Sequence, residues 1–327
     1  MTSALPLDDT LAVVIDGELP EAGVDLFHSA RFHMLSVRQR PPGARAHAFT
    51  LVHRRSGAAL GAARFVEDEP GHFHSPGRGS YGGLQIAAGH EQSLATMEAF
   101  AAQVEAFLVE QGARFITIVL PPLAYDPPQT SAWINILLRH GFSLARHELS
   151  YAVDVGPLFL ELIDHGNRKQ LKKCEREGLV CEVLGPSDQE AAYAVLDENR
   201  RKKGNALSMT WPALQELGAA FPAAVRWSGV RRPGEGHDAL VAAAVALRIN
   251  PRVLYVLYWG EGVGSETLSP VTVLARELYE HCLTERIAVL DVGTSTLHGV
   301  PNHGLIRYKK NLGCQASLKL TLTKALP

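Results

Sequence analysis

Apolar runs of strand length and apolar positions at helical spacing alternate through the first half of the chain. Residues 54–57 separate two such runs and have the composition of a hairpin turn. In residues 93–111 apolar side chains recur at helical spacing, and Gly112 is placed to end that helix. The predicted order is two hairpin strands (46–53 and 58–66), a helix (93–111), a strand (115–120), a helix (131–140) and a strand (144–153).

The second half of the chain repeats this order. Its predicted elements are two hairpin strands (240–249 and 253–259), a helix (269–283), a strand (287–291), a helix (301–312) and a strand (316–322). Gly141 and Gly313 fall in corresponding places about 170 residues apart, a period that suits a duplicated domain. Alternating helices and strands with hairpins predict an α/β fold with mixed sheets flanked by helices. Pro and Gly near residue 155 favour two domains, 1–155 and 156–327.

Composition narrows the class of protein. The 327 residues are 46% hydrophobic and 20% charged, as in ordinary globular proteins. A formal net charge of -2 does not favour a nonspecific DNA binder. The longest uncharged apolar run, 239–247, is too short to cross a bilayer, and the first residues lack the pattern of a signal peptide. We therefore expect a cytoplasmic protein without a transmembrane segment.

Cysteine and histidine spacing indicates no metal chemistry. The four cysteines are scattered and form no C-x-x-C pair, so we expect reduced thiols. His72 and His74 would share one face of a strand, but no third ligand accompanies them. We predict no metal site.

A polar turn follows the strand predicted at 287–291. Asp291, Thr294 and Ser295 stand at its carboxyl end, where α/β folds usually bind ligands. These groups are candidates for binding substrate or for relaying a proton from an attacking amine. The alternative is a turn whose side chains satisfy their own backbone.

Two basic clusters, 167–176 and 199–204, are predicted to be helical. The second cluster includes Arg200 and Lys203. Such cations pair with phosphates of a nucleotide-linked or tRNA-linked substrate, and the alternative is a solvated basic face. Among the aromatic residues of the strand 253–259, Trp259 is our candidate for a donor-site side chain.

The run from Leu290 to Gly293, followed by Asn302 to Gly313, resembles the C-terminal motif of the Fem-type branch of the GNAT acyltransferase superfamily. That branch commonly has an Asp-aromatic-Gly turn, an aromatic-Lys pair and a Gly that ends the helix. This chain has Tyr308 where Phe is more frequent. The resemblance implies two tandem GNAT-like domains, each a mixed β-sheet flanked by helices.

The resemblance also implies roles for individual residues. Lys309 matches the lysine of the acyl-transfer region, where an ammonium would stabilise the oxyanion of a tetrahedral intermediate. Tyr308 is its aromatic partner, Asp291 is the candidate proton acceptor, and Asn302 is a candidate substrate-binding residue. The Arg-x-x-Lys-Gly stretch of the family is matched at 200–204.

Glycine-rich loops precede a helix in each half. Tyr81, Gly82 and Gly83 resemble the aromatic-Gly-Gly stretch of Fem-type proteins, where envelope-precursor substrates bind. The loop 260–264 lacks the basic residue that leads the coenzyme A loop of GNAT enzymes, and it carries Glu261. This departure puts acetyl-CoA in doubt as the donor.

The resemblance implies transfer of an activated acyl or aminoacyl group to a primary amine of a cell-envelope precursor or amino sugar. We expect no permanently bound cofactor. The donor is left open among acyl-CoA, acyl-carrier protein and aminoacyl-tRNA, and the acceptor is a small-molecule or lipid-linked amine. The chain is expected to be a monomer or homodimer. The alternative is a noncatalytic, degenerate GNAT pair that binds a nucleotide-linked ligand, which the missing coenzyme A loop favours.

Overall fold

A computed structural model describes residues 3–17, 23–38, 40, 43–233, 239–262, 264–265 and 267–326. The elements of the first half are β1 (Ser3–Pro6), β2 (Leu11–Ile15), a 3-10 helix (Leu26–His28), α1 (Ala30–Arg38), β3 (Ala46–His53), β4 (Ala59–Glu69), β5 (His72–Ser75), β6 (Leu84–Ile86), α2 (Leu94–Glu110), β7 (Phe115–Val119), α3 (Pro127–Arg139) and β8 (Ser143–Asp154).

The elements of the second half are α4 (Phe159–Leu162), α5 (His165–Arg176), β9 (Val180–Val183), α6 (Gln189–Lys202), α7 (Trp211–Ala220), β10 (Val225–Arg232), β11 (Ala239–Asn250), β12 (Val253–Glu261), α8 (Val271–Thr284), β13 (Val289–Thr294), β14 (Thr296–Leu297), β15 (Val300–Pro301), α9 (His303–Asn311) and β16 (Gln315–Ala325). The hairpins, helices and strands predicted for each half are present at nearly the predicted positions.

The chain divides into two compact units. Unit 1 comprises residues 1–149 and 317–327, and unit 2 comprises residues 150–316. These bounds differ from the sequence-based division, 1–155 and 156–327, chiefly in the last strand. β16 pairs antiparallel with β7 from Thr321↔Val119 to Ala325↔Phe115, and this pairing places it in unit 1.

In unit 1 the sheet has the order β1-β2-β3-β4-β5-β7-β16, with β6 paired to β4. β5 and β7 run parallel, and the other pairs are antiparallel. The core of this unit joins side chains of the sheet to α2 and α3, among them Phe65, Phe100 and Trp133. The Ser93 hydroxyl caps α2 by accepting from Thr96 N at 3.1 Å.

In unit 2 residues 150–154 of β8 begin a sheet of order β8-β13-β12-β11-β10-β9. β12 and β13 are parallel neighbours joined through α8, and the other pairs are antiparallel. β13 extends to Thr294, beyond the predicted end at residue 291, because Thr294 pairs with Ser150 after a register shift. Among the described residues, no helix has the length and apolar character needed to cross a membrane.

Candidate functional site

A cavity of about 690 Å³ opens in unit 2 where two parallel strands separate. β12 and β13 pair from Val253↔Val289 to Tyr255↔Asp291. Beyond this point, residues 255–261 of β12 line one side of the cavity and residues 292–294 of β13 line the other. The cavity therefore lies at the carboxyl ends of neighbouring parallel strands, the usual ligand position in open α/β sheets.

Helices and a small hairpin complete the walls of the cavity. The remaining lining residues are Asn199, Arg200, Lys203 and Asn205 at the end of α6, Ser269 and Val271 at the start of α8, Thr296 of β14, and Asn302, Leu305, Tyr308 and Lys309 around α9. Asn302 is the N-cap of α9, and its side-chain oxygen accepts from Leu305 N at 3.0 Å. This cap orients the helix that carries the aromatic-Lys pair.

Lys309 is a buried cation held by backbone carbonyls. Its side chain is 2% exposed, and Nζ donates to the carbonyl oxygens of Gly293 at 2.7 Å and Thr294 at 3.0 Å. Nζ also lies 5.8 Å from the centre of the Tyr151 ring. Burial lowers the pKa of the Lys309 ammonium to about 8, and the charge of Asp291 offsets part of this effect. An ammonium has three donors, so one N–H remains beyond the two carbonyl bonds.

Asp291 is buried below the lining residues of the cavity. Its carboxylate accepts from Ser150 Oγ at 3.1 and 3.2 Å and from the backbone N–H of Gly293 at 2.5 Å. Gly293 has a φ of 80°, a conformation that favours glycine. Asp291 therefore fixes the backbone of the turn that binds Lys309.

Two aromatic rings, those of Trp259 and Tyr308, line the cavity beside Lys309. The rings of Trp259 and Tyr308 meet edge to face with centroids 6.3 Å apart. Burial raises the pKa of the Tyr308 phenol, and contact with the Thr272 hydroxyl offsets part of the effect. Tyr308 is therefore neutral in the folded protein at ordinary pH.

Two cations from α6 also line the cavity. Lys203 Nζ donates to Asn199 Oδ1 at 2.9 Å, and Asn199 Nδ2 donates to the carbonyl oxygen of Glu261 at 2.8 Å. Burial lowers the pKa of Lys203, and repulsion from Arg200 adds to this effect. With the N-terminus of α8 nearby, this part of the cavity has the groups needed to bind a phosphate.

The structure brings seven of the predicted site residues together. Those that line the cavity are Arg200, Lys203, Trp259, Thr294, Asn302, Tyr308 and Lys309. Asp291 and Ser295 are 1% and 2% exposed and are not among the lining residues. The other three, Tyr81, Gly82 and Gly83, belong to unit 1.

Tyr81, Gly82 and Gly83 have packing roles within unit 1. The Tyr81 hydroxyl donates to Asp25 Oδ2 at 2.5 Å, and the N–H of Gly83 donates to Ser75 Oγ at 2.7 Å. A Cβ at position 82 would lie 2.6 Å from Ser75 Oγ. Close backbone packing therefore accounts for Gly82 without a bound substrate.

Sequence reasoning did not choose Asn199 as a site residue, although it connects Lys203 to β12. Asn199 is buried and follows Ala192 and Leu196 at helical spacing on the inward face of α6. A polar residue on an otherwise apolar helix face was the signal that could have revealed it. Gly260 packs so closely that a Cβ there would lie 2.8 Å from Asn199.

Comparison with known proteins supports the fold. No family model and no curated protein matches the sequence. Among solved structures, FemX aligns over 92% of each chain with a TM-score of 0.68 at 13% identity. The chain has a Fem-like tandem GNAT fold. The Fem-like fold is also matched by L-PGS from Bacillus licheniformis, with a TM-score of 0.56 at 10% identity over 82% of this chain and 81% of the other.

A conserved protein of unknown function from Bacteroides thetaiotaomicron VPI-5482 aligns over 86% of each chain, with a TM-score of 0.56 at 10% identity. At these identities the likeness establishes the Fem-like fold and not the reaction.

In the loop 260–264, Val263 lies outside the described residues. Among the residues that the structure describes, no group of three His, Cys, Asp or Glu side chains is arranged to hold a metal ion.

Proposed function

We propose that the cavity of unit 2 transfers an activated acyl or aminoacyl group to a primary amine. The observation that supports this most directly is the buried ammonium of Lys309 in the cavity wall, with one N–H beyond its two carbonyl bonds. In a site shielded from water, a fixed cation stabilises a developing oxyanion far more than it would in water.

The part of the cavity lined by α6 and the start of α8, which we call the donor wall, suits the activated donor. Arg200, Lys203 and the N-terminus of α8 line the same cavity, and each favours an anionic group. All three donors carry phosphate: in acyl-CoA and acyl-carrier protein it lies at the far end of the pantetheine arm from the acyl group, and in aminoacyl-tRNA it lies one nucleoside away. The wall is compatible with all three donors, so the proposal concerns the reaction and leaves the donor open.

The reaction forms a C–N bond and breaks the thioester or ester bond of the donor. The amine nitrogen attacks the acyl carbonyl, and the tetrahedral oxyanion accepts a hydrogen bond from Lys309. The leaving thiolate or alkoxide departs with the electron pair, and the amine loses one proton. Because Asp291 does not line the cavity, we give it a positioning role, and the proton lost by the amine ends on the leaving thiolate or alkoxide. Binding the two substrates together lowers the entropic barrier.

The acceptor that we propose is an amine of a cell-envelope precursor or an amino sugar, small or lipid-linked. No permanently bound cofactor is needed, because the donor already carries an activated carbonyl. Bound substrates supply all the atoms of the product.

The test is a product assay that crosses the three donor classes with amine acceptors and detects the amide by mass spectrometry. Wild-type protein, Lys309→Ala and the matched control Lys310→Ala are compared, since Lys310 is exposed on the same helix. We expect amide formation with one donor class, lost in Lys309→Ala and retained in the control. Stabilisation by a nucleotide sugar without any amide product would instead support the noncatalytic alternative.

A further inference from the structure

Beside the candidate site, β14 and β15 form a two-residue hairpin with an apolar tip. Leu297 pairs directly with Val300, and His298 and Gly299 between them have φ values of 52° and 76°. Such left-handed pairs make the tight turn that joins twisted antiparallel strands. Leu297 is 70% exposed and Val300 is 68% exposed, the highest values among the large apolar side chains of the described residues.

The hairpin belongs to the rim of the cavity. Thr296 at the start of the hairpin and Asn302 just after it line the cavity, while the tip lies in solvent. The base is fixed, because the N–H of Asn302 donates to the carbonyl oxygen of Ser295 at 2.9 Å. A rigid turn therefore presents two adjacent aliphatic side chains to solvent beside the cavity. Neither side chain is needed to close the turn.

A second feature of unit 2 is a basic stripe on α5. Asn167, Leu171 and Cys174 form the buried face of this helix. The opposite face carries Arg168, Lys169, Lys172 and Arg176, which together with His165 and Glu175 line an open groove of about 970 Å³. From the first to the last of these cations the helix rises about 12 Å. We call these four cations the basic stripe.

The basic stripe is uncompensated within the part of the chain that the structure describes. None of its four cations has an ion-pair partner there, and the nearby Glu175 pairs with Arg276 at 2.5 Å. Arg168, Lys172 and Arg176 follow one another at intervals of four residues, a like-charge spacing that destabilises a helix. An external anionic surface would remove this repulsion.

The C-terminal end of α5 lies near the cavity that the hairpin borders. Near the end of α5, Lys173 Nζ donates to Thr267 O at 3.0 Å and Cys174 Sγ donates to Leu268 O at 2.8 Å. The next residue, Ser269, lines the cavity. The end of the stripe is therefore close to one wall of the cavity, and the hairpin forms part of another.

We propose that unit 2 docks on an anionic membrane surface through the apolar tip of the hairpin and the basic stripe. Interfacial binding combines apolar side chains that enter the boundary between headgroups and acyl chains with cations attracted to anionic lipids. A phosphate backbone alone would leave Leu297 and Val300 without an apolar environment. A stable protein partner typically covers about 800 Å² of each surface, far more than a two-residue tip provides.

Docking would hold the cavity beside the lipid headgroups, so that an amine carried by a lipid could enter it. This consequence rests on the proposed function, whereas docking itself does not. Vesicle binding is therefore measured without an acyl donor. Loss of docking and loss of acyl transfer are then separate observations.

The experiment is sedimentation of the full chain with phosphatidylcholine vesicles that contain or lack phosphatidylglycerol. The stripe variant carries Lys169→Glu and Lys172→Glu, and the hairpin variant carries Leu297→Ser and Val300→Ser. Lys310→Glu is the charge control and Leu138→Ser is the apolar control, since each replaces an exposed side chain elsewhere. Thermal unfolding tests whether each variant is folded.

Wild-type protein and both controls are expected to bind the anionic vesicles, with binding weakened by salt. The stripe variant should bind at least about tenfold more weakly, because two favourable charges are reversed. The hairpin variant should also bind more weakly, and Leu297→Trp should restore binding to a Val300→Ser background with blue-shifted emission on vesicles. Absence of vesicle binding by the wild type, or binding as tight as that of the wild type by either variant, overturns the proposal. If the wild type binds RNA through the basic stripe and does not bind vesicles, the docking proposal is also overturned.

Discussion

Lys309 Nζ lies 2.7 Å from the carbonyl oxygen of Gly293. The lysine proposed to stabilise the oxyanion therefore also holds the backbone turn beside it. Asp291 holds the same turn from the other direction by accepting from the N–H of Gly293. A backbone segment fixed by both charges needs little reorganisation when an oxyanion forms. The cation and the shape of the cavity therefore depend on each other.

The first prediction concerns Lys309 itself. Lys309→Ala should lower turnover by more than about tenfold, because a cation directed at a developing oxyanion is worth about this much or more. Lys309→Arg should not restore it, since the larger planar guanidinium cannot reproduce the bonds to Gly293 and Thr294. Steady-state kinetics with the exposed Lys310→Ala as control gives kcat and KM separately. An unchanged kcat in Lys309→Ala removes this residue from the mechanism.

The second prediction follows from the pKa of Lys309. Burial lowers this pKa from 10.5 to about 8. Below pH 8 the folded protein therefore carries a charged ammonium whose burial costs free energy. The free energy of unfolding should therefore rise with pH between about 8 and 10.5, by roughly 3 kcal/mol at most, relative to Lys309→Met. Turnover should fall as the pH rises through about 8, the pKa of Lys309 in the folded protein, because the cation is lost. Urea titrations and rate profiles from about pH 7 to 10.5 measure the two opposite trends.

If turnover and stability rise together above pH 8, the neutral amine is the active form and the oxyanion role is wrong. The comparison with Lys309→Met is essential, because burial also raises the pKa of the thiols of Cys282 and Cys314 to about 12. The Cys282 thiol is present in both proteins, so its contribution cancels in the difference. The Cys314 contribution changes only through loss of the Lys309 charge, which lowers the pKa of that thiol.

The third prediction separates the charge of Asp291 from its hydrogen bonds. Since this carboxylate raises the pKa of Lys309, Asp291→Asn should move the alkaline fall in turnover to lower pH. Ser150→Ala removes one donor to the carboxylate but keeps the charge. It should cost about 1 kcal/mol of stability and leave the pH profile in place. A profile shifted equally by both substitutions would show that turn geometry, and not charge, sets the pKa.

Much of the fold was predictable because it rests on local patterns. The helix predicted at 269–283 is found at Val271–Thr284, and the strand predicted at 316–322 lies within Gln315–Ala325. Apolar spacing identified each element, and capping residues identified the ends of the helices. The affiliation of β16 with unit 1 depends on pairing with β7, which is about 200 residues away and leaves no local signal.

The candidate site was only partly predictable for the same reason. Arg200, Trp259 and Lys309 were chosen separately and line one cavity. Asn199 was missed because its role requires the approach of β12 to α6. Tyr81 was chosen by resemblance, but within unit 1 its hydroxyl is committed to Asp25. A motif fixes residue types, whereas the cavity depends on how β12 and β13 separate.

The fourth prediction tests the donor wall. Arg200→Ala should raise KM for the donor by about tenfold or more, because a charge-assisted bond to phosphate would be lost. The matched control is Arg201→Ala, since Arg201 is 76% exposed and pairs with Asp197 at 2.6 Å. KM for the amine should change little in either variant. Equal donor KM values for Arg200→Ala and Arg201→Ala would exclude this wall as the phosphate site.

The fifth prediction decides between packing and substrate binding at Gly82. A Cβ there would lie 2.6 Å from Ser75 Oγ and 2.7 Å from the nitrogen of Pro76, so the backbone must shift in Gly82→Ala. We expect a loss of about 1–3 kcal/mol in unfolding free energy, typical of overpacking. Gly156→Ala is the control, because its Cβ would meet no described atom within 4 Å. Urea unfolding and amine KM are measured for both variants. A raised KM with unchanged stability would return Gly82 to the substrate site, whereas lowered stability with unchanged KM assigns it to packing.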